Sequence, residues 1–78
     1  MNTDFKTLQI LMSDVFTVPM ETITEDLKLG DLTEWDSLGH LNLFMEIEST
    51  FGVSFSADQM VETTSVQAIL HLLATVNA

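Results

Sequence analysis

Hydrophobic positions along this chain change rhythm several times, and the changes mark its elements. From Asp4 to Phe16 the residues Phe5, Leu8, Leu11, Met12, Val15 and Phe16 recur at helical spacing, with Asn2 and Thr3 ahead of them as caps, which predicts an amphipathic helix. Pro19 has no amide to donate and biases Val18 away from helical angles, so the helix ends before it. Between Pro19 and Asp36 the apolar residues Met20, Ile23, Leu27, Leu29, Leu32 and Trp35 keep no sustained period. A connection of that length packs down on its own anchors or serves function. These apolar residues are the predicted anchors, with a short helical turn around Thr22 to Leu27.

Helical spacing returns at Ser37. Leu38, Leu41, Leu43, Phe44, Met45, Ile47 and Phe51 fall on one broad face, interrupted by His40 and Glu48, while Gly39, Asn42, Glu46, Ser49 and Thr50 form a polar strip, so a second helix is predicted from Ser37 to about Phe51. Gly52 stands where a left-handed helix stop is commonest. Ser56-Ala57-Asp58-Gln59 fits a capping box opening a very short helix through about Val61, and Thr64-x-x-Gln67 fits another ahead of Val66, Ile69, Leu70, Leu72, Leu73 and Val76. No strand-type alternation persists. The predicted fold is all-α, a small four-helix bundle of three main helices and one short one, forming a single domain over residues 1–78. The long first connection lets the first two helices run antiparallel or nearly parallel.

Composition adds a compact core and a strong sign of charge. A hydrophobic fraction of 46% is too high for a disordered chain, and a domain of this size is stable by roughly 4–12 kcal/mol. Lys6 and Lys28 stand against 12 acids for a net charge of -10. That balance disfavours nucleic acid and anionic membrane as partners and favours basic protein surfaces. The chain has no cysteine, so it has no thiolate of its own and no disulfide. It shows neither a signal-peptide pattern nor a run of membrane-spanning length, and a cytoplasmic monomer is expected.

Chemistry concentrates at Glu34-Trp35-Asp36-Ser37-Leu38-Gly39-His40-Leu41. Ser37 stands at or next to a helix N-cap, where unpaired amides and a partial positive charge favour a phosphoryl-linked group on its hydroxyl. The commoner role of such a residue is capping alone, worth about 1 kcal/mol. His40 follows one turn later, so a Ser–His pair is conceivable, but it falls amid Leu43, Ile47 and Phe51 with nothing obvious to orient it, and no catalytic residue is assigned. His71 reads as a polar or boundary position. The acids after Gly30 lack the alternating oxygen ligands and closing Glu of a calcium loop, and no metal site is assigned. Phe44, Met45, Ile47, Met60, Val61 and Ile69 are expected in the core, with a pliable pocket as the alternative.

Taken in order, Asp36-Ser37-Leu38 with the helix behind it, the Phe51-Gly52-Val53 stop, the short helix near Asp58 to Val61, and Thr64-Ser65-Val66-Gln67-Ala68 resemble the acyl carrier proteins, including peptidyl and aminoacyl carrier domains. The resemblance covers essentially the whole chain. It implies that Ser37 is esterified through a phosphodiester to 4′-phosphopantetheine by a phosphopantetheinyl transferase using coenzyme A, with Asp36 and Leu38 as the recognition motif. It implies further that the arm's thiol carries acyl or aminoacyl groups as thioesters, delivered by a loading ligase and taken up by an acyltransferase, ketosynthase or condensation enzyme.

Departures from the family pattern shape the expected partner face. Fatty-acid-type carriers usually hold acids at the positions of Gly39 and Asn42. The face here consists of Asp31, Glu34, Gly39, Asn42, Met45 and Glu46, which implies a partner set different from that of housekeeping fatty acid synthesis. Trp35 resembles the same position in carriers of specialised pathways, and a loop anchor accounts for it equally well. Bulky Phe44 and Phe55 imply a small cavity and a short or polar cargo. An acidic helical adaptor that binds a basic protein without any prosthetic group is the alternative from another class.

Overall fold

The computed structural model describes residues 5–76. Four α-helices follow in order: α1 (Phe5–Phe16), α2 (Ser37–Phe51), α3 (Ala57–Glu62) and α4 (Val66–Val76), with a single 3₁₀ turn at Met20–Thr22. This is the predicted all-α arrangement. Asp4, Asn2 and Thr3, the expected start and caps of the first helix, lie outside the described residues.

Leu8, Leu11, Met12 and Phe16 of α1 are buried against Leu43, Phe44, Ile47 and Phe51 of α2 and Val66, Ile69 and Leu73 of α4. The ring of Phe16, at the end of α1, lies 5.9 Å from that of Trp35, just ahead of α2, so α1 and α2 run in opposite senses. Pro19 is only part of the reason α1 stops. Thr17 already turns left-handed with φ 56, and the Val18 amide reaches back 3.1 Å to the Ser13 carbonyl, a closure that satisfies an orphan carbonyl of the last turn.

Gly52 ends α2 as expected: its φ is 67, and its own amide and that of Val53 both donate to the Glu48 carbonyl, at 2.9 and 3.2 Å. The Glu48 side chain accepts the Phe55 amide at 2.9 Å, which explains a carboxylate interrupting the apolar face. The Ser56–Gln59 capping box is present on α3. The box expected at Thr64 and Gln67 does not form: Ser65 Oγ caps α4 by accepting the Ala68 amide at 3.1 Å, and Ala68 has no side chain to reach back. Thr64 is held elsewhere, its carbonyl accepting the Leu29 amide at 2.8 Å, while the Val66 amide donates to the Leu27 carbonyl at 2.9 Å.

Those two bonds form a short antiparallel bridge between Lys28 and Ser65, and the first connection is folded down by it. Ile23, Leu27 and Trp35 are buried, with Leu29 and Leu32 packed against them. The helical turn expected at Thr22 to Leu27 falls earlier, at Met20–Thr22. Gln9 of α1 donates through Nε2 to the carbonyls of Met20 and Ile23 at 2.8 and 3.0 Å, and this pins the turn. Beyond it the Thr24 hydroxyl donates to Asp26 at 2.7 Å, and this bond, with a backbone amide, holds the exposed Asp26 carboxyl below the usual range.

Candidate functional site

The first turn of α2 is built from its cap. Asp36 is the N-cap, its Oδ1 accepting the Gly39 amide at 2.8 Å, and its carbonyl accepts the His40 amide at 2.8 Å. Ser37 is therefore the first helical residue and not the cap. Its side chain is exposed and has no hydrogen-bond partner among the described residues. The amides of Ser37 and Leu38 point out of the helix start, where intrahelical geometry provides no acceptor.

Behind this turn lies the feature that sequence reasoning missed. Trp35 is fully buried, and its Nε1–H donates to His40 Nδ1 at 2.9 Å. Because the indole can only donate, Nδ1 is the acceptor, and the ring proton sits on Nε2, 2.8 Å from the carbonyl of Met60 in α3. His40 does have groups that orient it, contrary to expectation. They are the indole and a main-chain carbonyl, so both ring nitrogens are engaged and neither reaches out to activate Ser37. The signal was present in sequence as a histidine on an apolar face five residues from a tryptophan. The rings continue as a ladder, Trp35–His40 at 6.1 Å, His40–Phe44 at 4.9 Å and Phe44–Phe55 at 5.5 Å.

The broad apolar face expected on α2 divides in two. Leu43, Phe44, Ile47 and Phe51 are buried together with His40, whereas Leu38, Leu41 and Met45 form an exposed ridge, Leu38 at 67% and Met45 at 57%. On one flank of the ridge an open groove of about 240 Å³ begins at Ser37, with His40 at its base and Leu41, Ala57, Met60 and Val61 around it. Val61, 73% exposed on the groove wall, and Met45 are not in the core expected for them; Met60 is half-buried, packed against the core while lining the groove, and Phe44, Ile47 and Ile69 are core. Phe44 and Phe55 do not line the groove: they meet edge to face and fill the interior behind it.

The remaining partner-face residues are spread unevenly. Glu34, Asn42, Met45 and Glu46 are exposed. Asp31 is tied into its turn, accepting the Lys28 amide at 3.0 Å and lying 3.9 Å from the Lys28 ammonium. Gly39 is half-buried, and a Cβ there would lie far inside contact distance of the Glu34 carbonyl oxygen and 3.3 Å from Asp36 Oδ1. The missing acid at this position is thereby explained: backbone occupies the space a side chain would need. Alanine normally stabilises a helix by about 1 kcal/mol relative to glycine. Gly39→Ala is expected to do the opposite and destabilise by about 1–3 kcal/mol through overpacking, as a lowered urea midpoint at unchanged slope. Among the described residues no three His, Asp or Glu side chains gather closely enough to hold a metal ion, and no helix is long and apolar enough to cross a membrane.

An exposed serine at a capped helix start, opening onto an apolar groove, is suited to carrying a group. Comparison agrees: the family described as a phosphopantetheine attachment site matches residues 6–73, and the chain belongs to it. Members of this family are carriers with 4′-phosphopantetheine attached covalently, and are not themselves catalysts. An acyl carrier protein of Coprothermobacter proteolyticus is 29% identical over 69 residues, covering 88% of this chain and 84% of that protein.

Proposed function

We propose that Ser37 is the residue that bears phosphopantetheine, and that the chain carries a short acyl or aminoacyl group as a thioester for a specialised biosynthetic pathway in the cytoplasm. The supporting observation is the exposed Ser37 hydroxyl, without a hydrogen-bond partner among the described residues, at the first position of α2, immediately after the Asp36 cap. Attachment would exchange the Ser37 hydroxyl proton for the phosphopantetheinyl group of coenzyme A, breaking that donor's pyrophosphate bond and releasing adenosine 3′,5′-bisphosphate, so that Oγ ends in a phosphodiester carrying one negative charge. The unpaired amides of Ser37 and Leu38 and the positive end of α2 favour that charge. When bound, the group supplies the thiol that this chain lacks.

The chain's own residues then have separable roles. Asp36 keeps the first turn wound, so that Ser37 stays outside it. Leu38 presents an apolar side chain to the transferase. The groove of about 240 Å³ offers Leu41, Ala57, Met60 and Val61 to a small apolar cargo, and the aromatic ladder behind it leaves the interior filled, which supports a short cargo. Glu34, Asn42, Met45 and Glu46 give partners a surface that is acidic around an apolar centre, suited to loading and condensing enzymes with basic docking faces.

The test is direct. Incubated with coenzyme A and a broad-specificity phosphopantetheinyl transferase, the protein should gain the mass of one phosphopantetheine, and fragmentation should place it on the peptide containing Ser37. An unchanged mass, or modification at another serine, would remove the proposal.

A further inference from the structure

The groove at Ser37 is the smaller of two that flank the exposed ridge of α2. On the opposite flank, between α1 and α2, an open groove of about 680 Å³ is bounded by Ile10, Asp14 and Val15 on one side and Asn42, Met45 and Glu46 on the other. Part of its apolar surface faces outward, with Ile10 44% and Met45 57% exposed. Each wall also carries a carboxylate, Asp14 from α1 and Glu46 from α2, and neither of the chain's two bases, Lys6 and Lys28, lines it. The groove thus combines apolar contact with uncompensated negative charge.

We propose that this α1–α2 groove is a docking site for an amphipathic α-helix of a partner protein, with an apolar side chain seated on Ile10 and Met45 and a Lys or Arg meeting Asp14 and Glu46. Charge decides among occupants. A second copy of a chain with net charge -10 is repelled, as are nucleic acid and anionic lipid. Dimension favours a helix: Ile10 to Val15 and Asn42 to Thr50 give walls about 8–12 Å long at 1.5 Å per residue, the span of anchors at i, i+4 and i+7. Methionine at the contact adapts to whichever apolar side chain arrives.

This site extends the proposed partner face at Met45 and Glu46, and does not depend on modification of Ser37. Asn42, the nearest groove residue to Ser37 on α2, is five residues further along, about 8 Å of helix rise. A helix seated here leaves Ser37 and the smaller groove uncovered. One partner can therefore hold the carrier while the arm is served elsewhere.

The test uses the unmodified full chain, uniformly labelled with nitrogen-15, and a stapled amphipathic helical peptide bearing Leu at i, i+4 and i+7 with flanking Arg. Amide shifts should concentrate at Ile10, Asp14, Met45 and Glu46. Ile10→Ser and Asp14→Lys should each weaken binding by about tenfold or more, equivalent to about 1.4 kcal/mol. Exchanging the peptide's Arg for Glu should abolish binding. The site is overturned if shifts centre on Leu41 and Val61 or scatter over the surface, if Ile10→Ser binds as tightly as the parent, or if the Glu peptide binds equally well. Both positions are exposed, and matching thermal melts verify the fold of the variants. Both should accept phosphopantetheine at the parent's rate, so failure of peptide binding with normal modification rejects this site alone, whereas failure of modification with normal peptide binding rejects only the role proposed for Ser37.

Discussion

Ser37→Ala is expected to abolish phosphopantetheine attachment completely while changing stability by less than about 0.5 kcal/mol, the usual range for a surface substitution that breaks no specific feature. The two effects separate because capping and attachment fall to neighbouring residues. Asp36 holds the Gly39 amide at 2.8 Å, whereas the Ser37 hydroxyl is exposed and holds nothing among the described residues. Alanine at Ser37 keeps the cap and removes only the nucleophilic oxygen. Asp36→Ala should cost about 1 kcal/mol through loss of the cap. Intact mass after transferase treatment and urea denaturation followed by circular dichroism measure the two quantities independently. A Ser37→Ala protein that still gained the arm's mass, or lost stability as Asp36→Ala does, would contradict this division of labour.

The largest loss of stability is expected at Trp35. Truncating a large buried aromatic to alanine costs about 3–5 kcal/mol, against a total of roughly 4–12 kcal/mol for a domain of this length. Trp35 is fully buried between Phe16 and His40, and it supplies the donor to His40 Nδ1. Its removal leaves a cavity and an unsatisfied buried acceptor together, so Trp35→Ala should be largely unfolded or melt far below the parent. Trp35→Phe fills most of the space but still lacks the N–H. It isolates the polar part of the cost, about 1–3 kcal/mol for an orphaned buried group. Thermal melts by circular dichroism give both values. A Trp35→Phe protein as stable as the parent would show that the indole–imidazole bond contributes no net stability.

Structural damage at Trp35 should spread to the site. The indole lies two residues before Ser37, and the chain of bonds from Trp35 through His40 to the Met60 carbonyl joins the loop, α2 and α3. Loosening it frees both walls of the groove that begins at Ser37. Transferase treatment of Trp35→Phe at a temperature where it remains folded should still modify Ser37, since no atom of the indole is needed for the chemistry. Slower modification would then report a less ordered helix start.

Elements whose determinants are local were legible in the sequence. The limits of α2 followed from Asp36, Ser37 and Gly52, because a carboxylate cap and a left-handed glycine act within a single turn. The Ser56–Gln59 box marked α3 for the same reason, and the family resemblance rested on Asp36-Ser37-Leu38, the Phe51-Gly52-Val53 stop, the short helix near Asp58 to Val61 and Thr64-Ser65-Val66-Gln67-Ala68 in that order. Local signals failed where distant backbone competed for the same groups. Thr64 reads as the cap of α4, but its carbonyl pairs with the distant Leu29 amide, and the cap falls instead to Ser65.

The chain by itself determined the four helices of the described residues, where α1 stops, where α2 and α3 begin and end and where α4 begins, each to within a residue or two, which serine stands at the start of α2, and which sign of charge surrounds it. Those properties depend on capping, spacing and composition, all of which act between near neighbours. Only tertiary structure decided which half of the apolar face of α2 is buried, why position 39 admits no side chain, and how His40 is held. Each depends on the connection between α1 and α2 being folded back by Trp35 and the Lys28–Ser65 bridge. Contacts between residues far apart in sequence leave no periodic trace in it, because they are fixed by packing and not by the helix repeat.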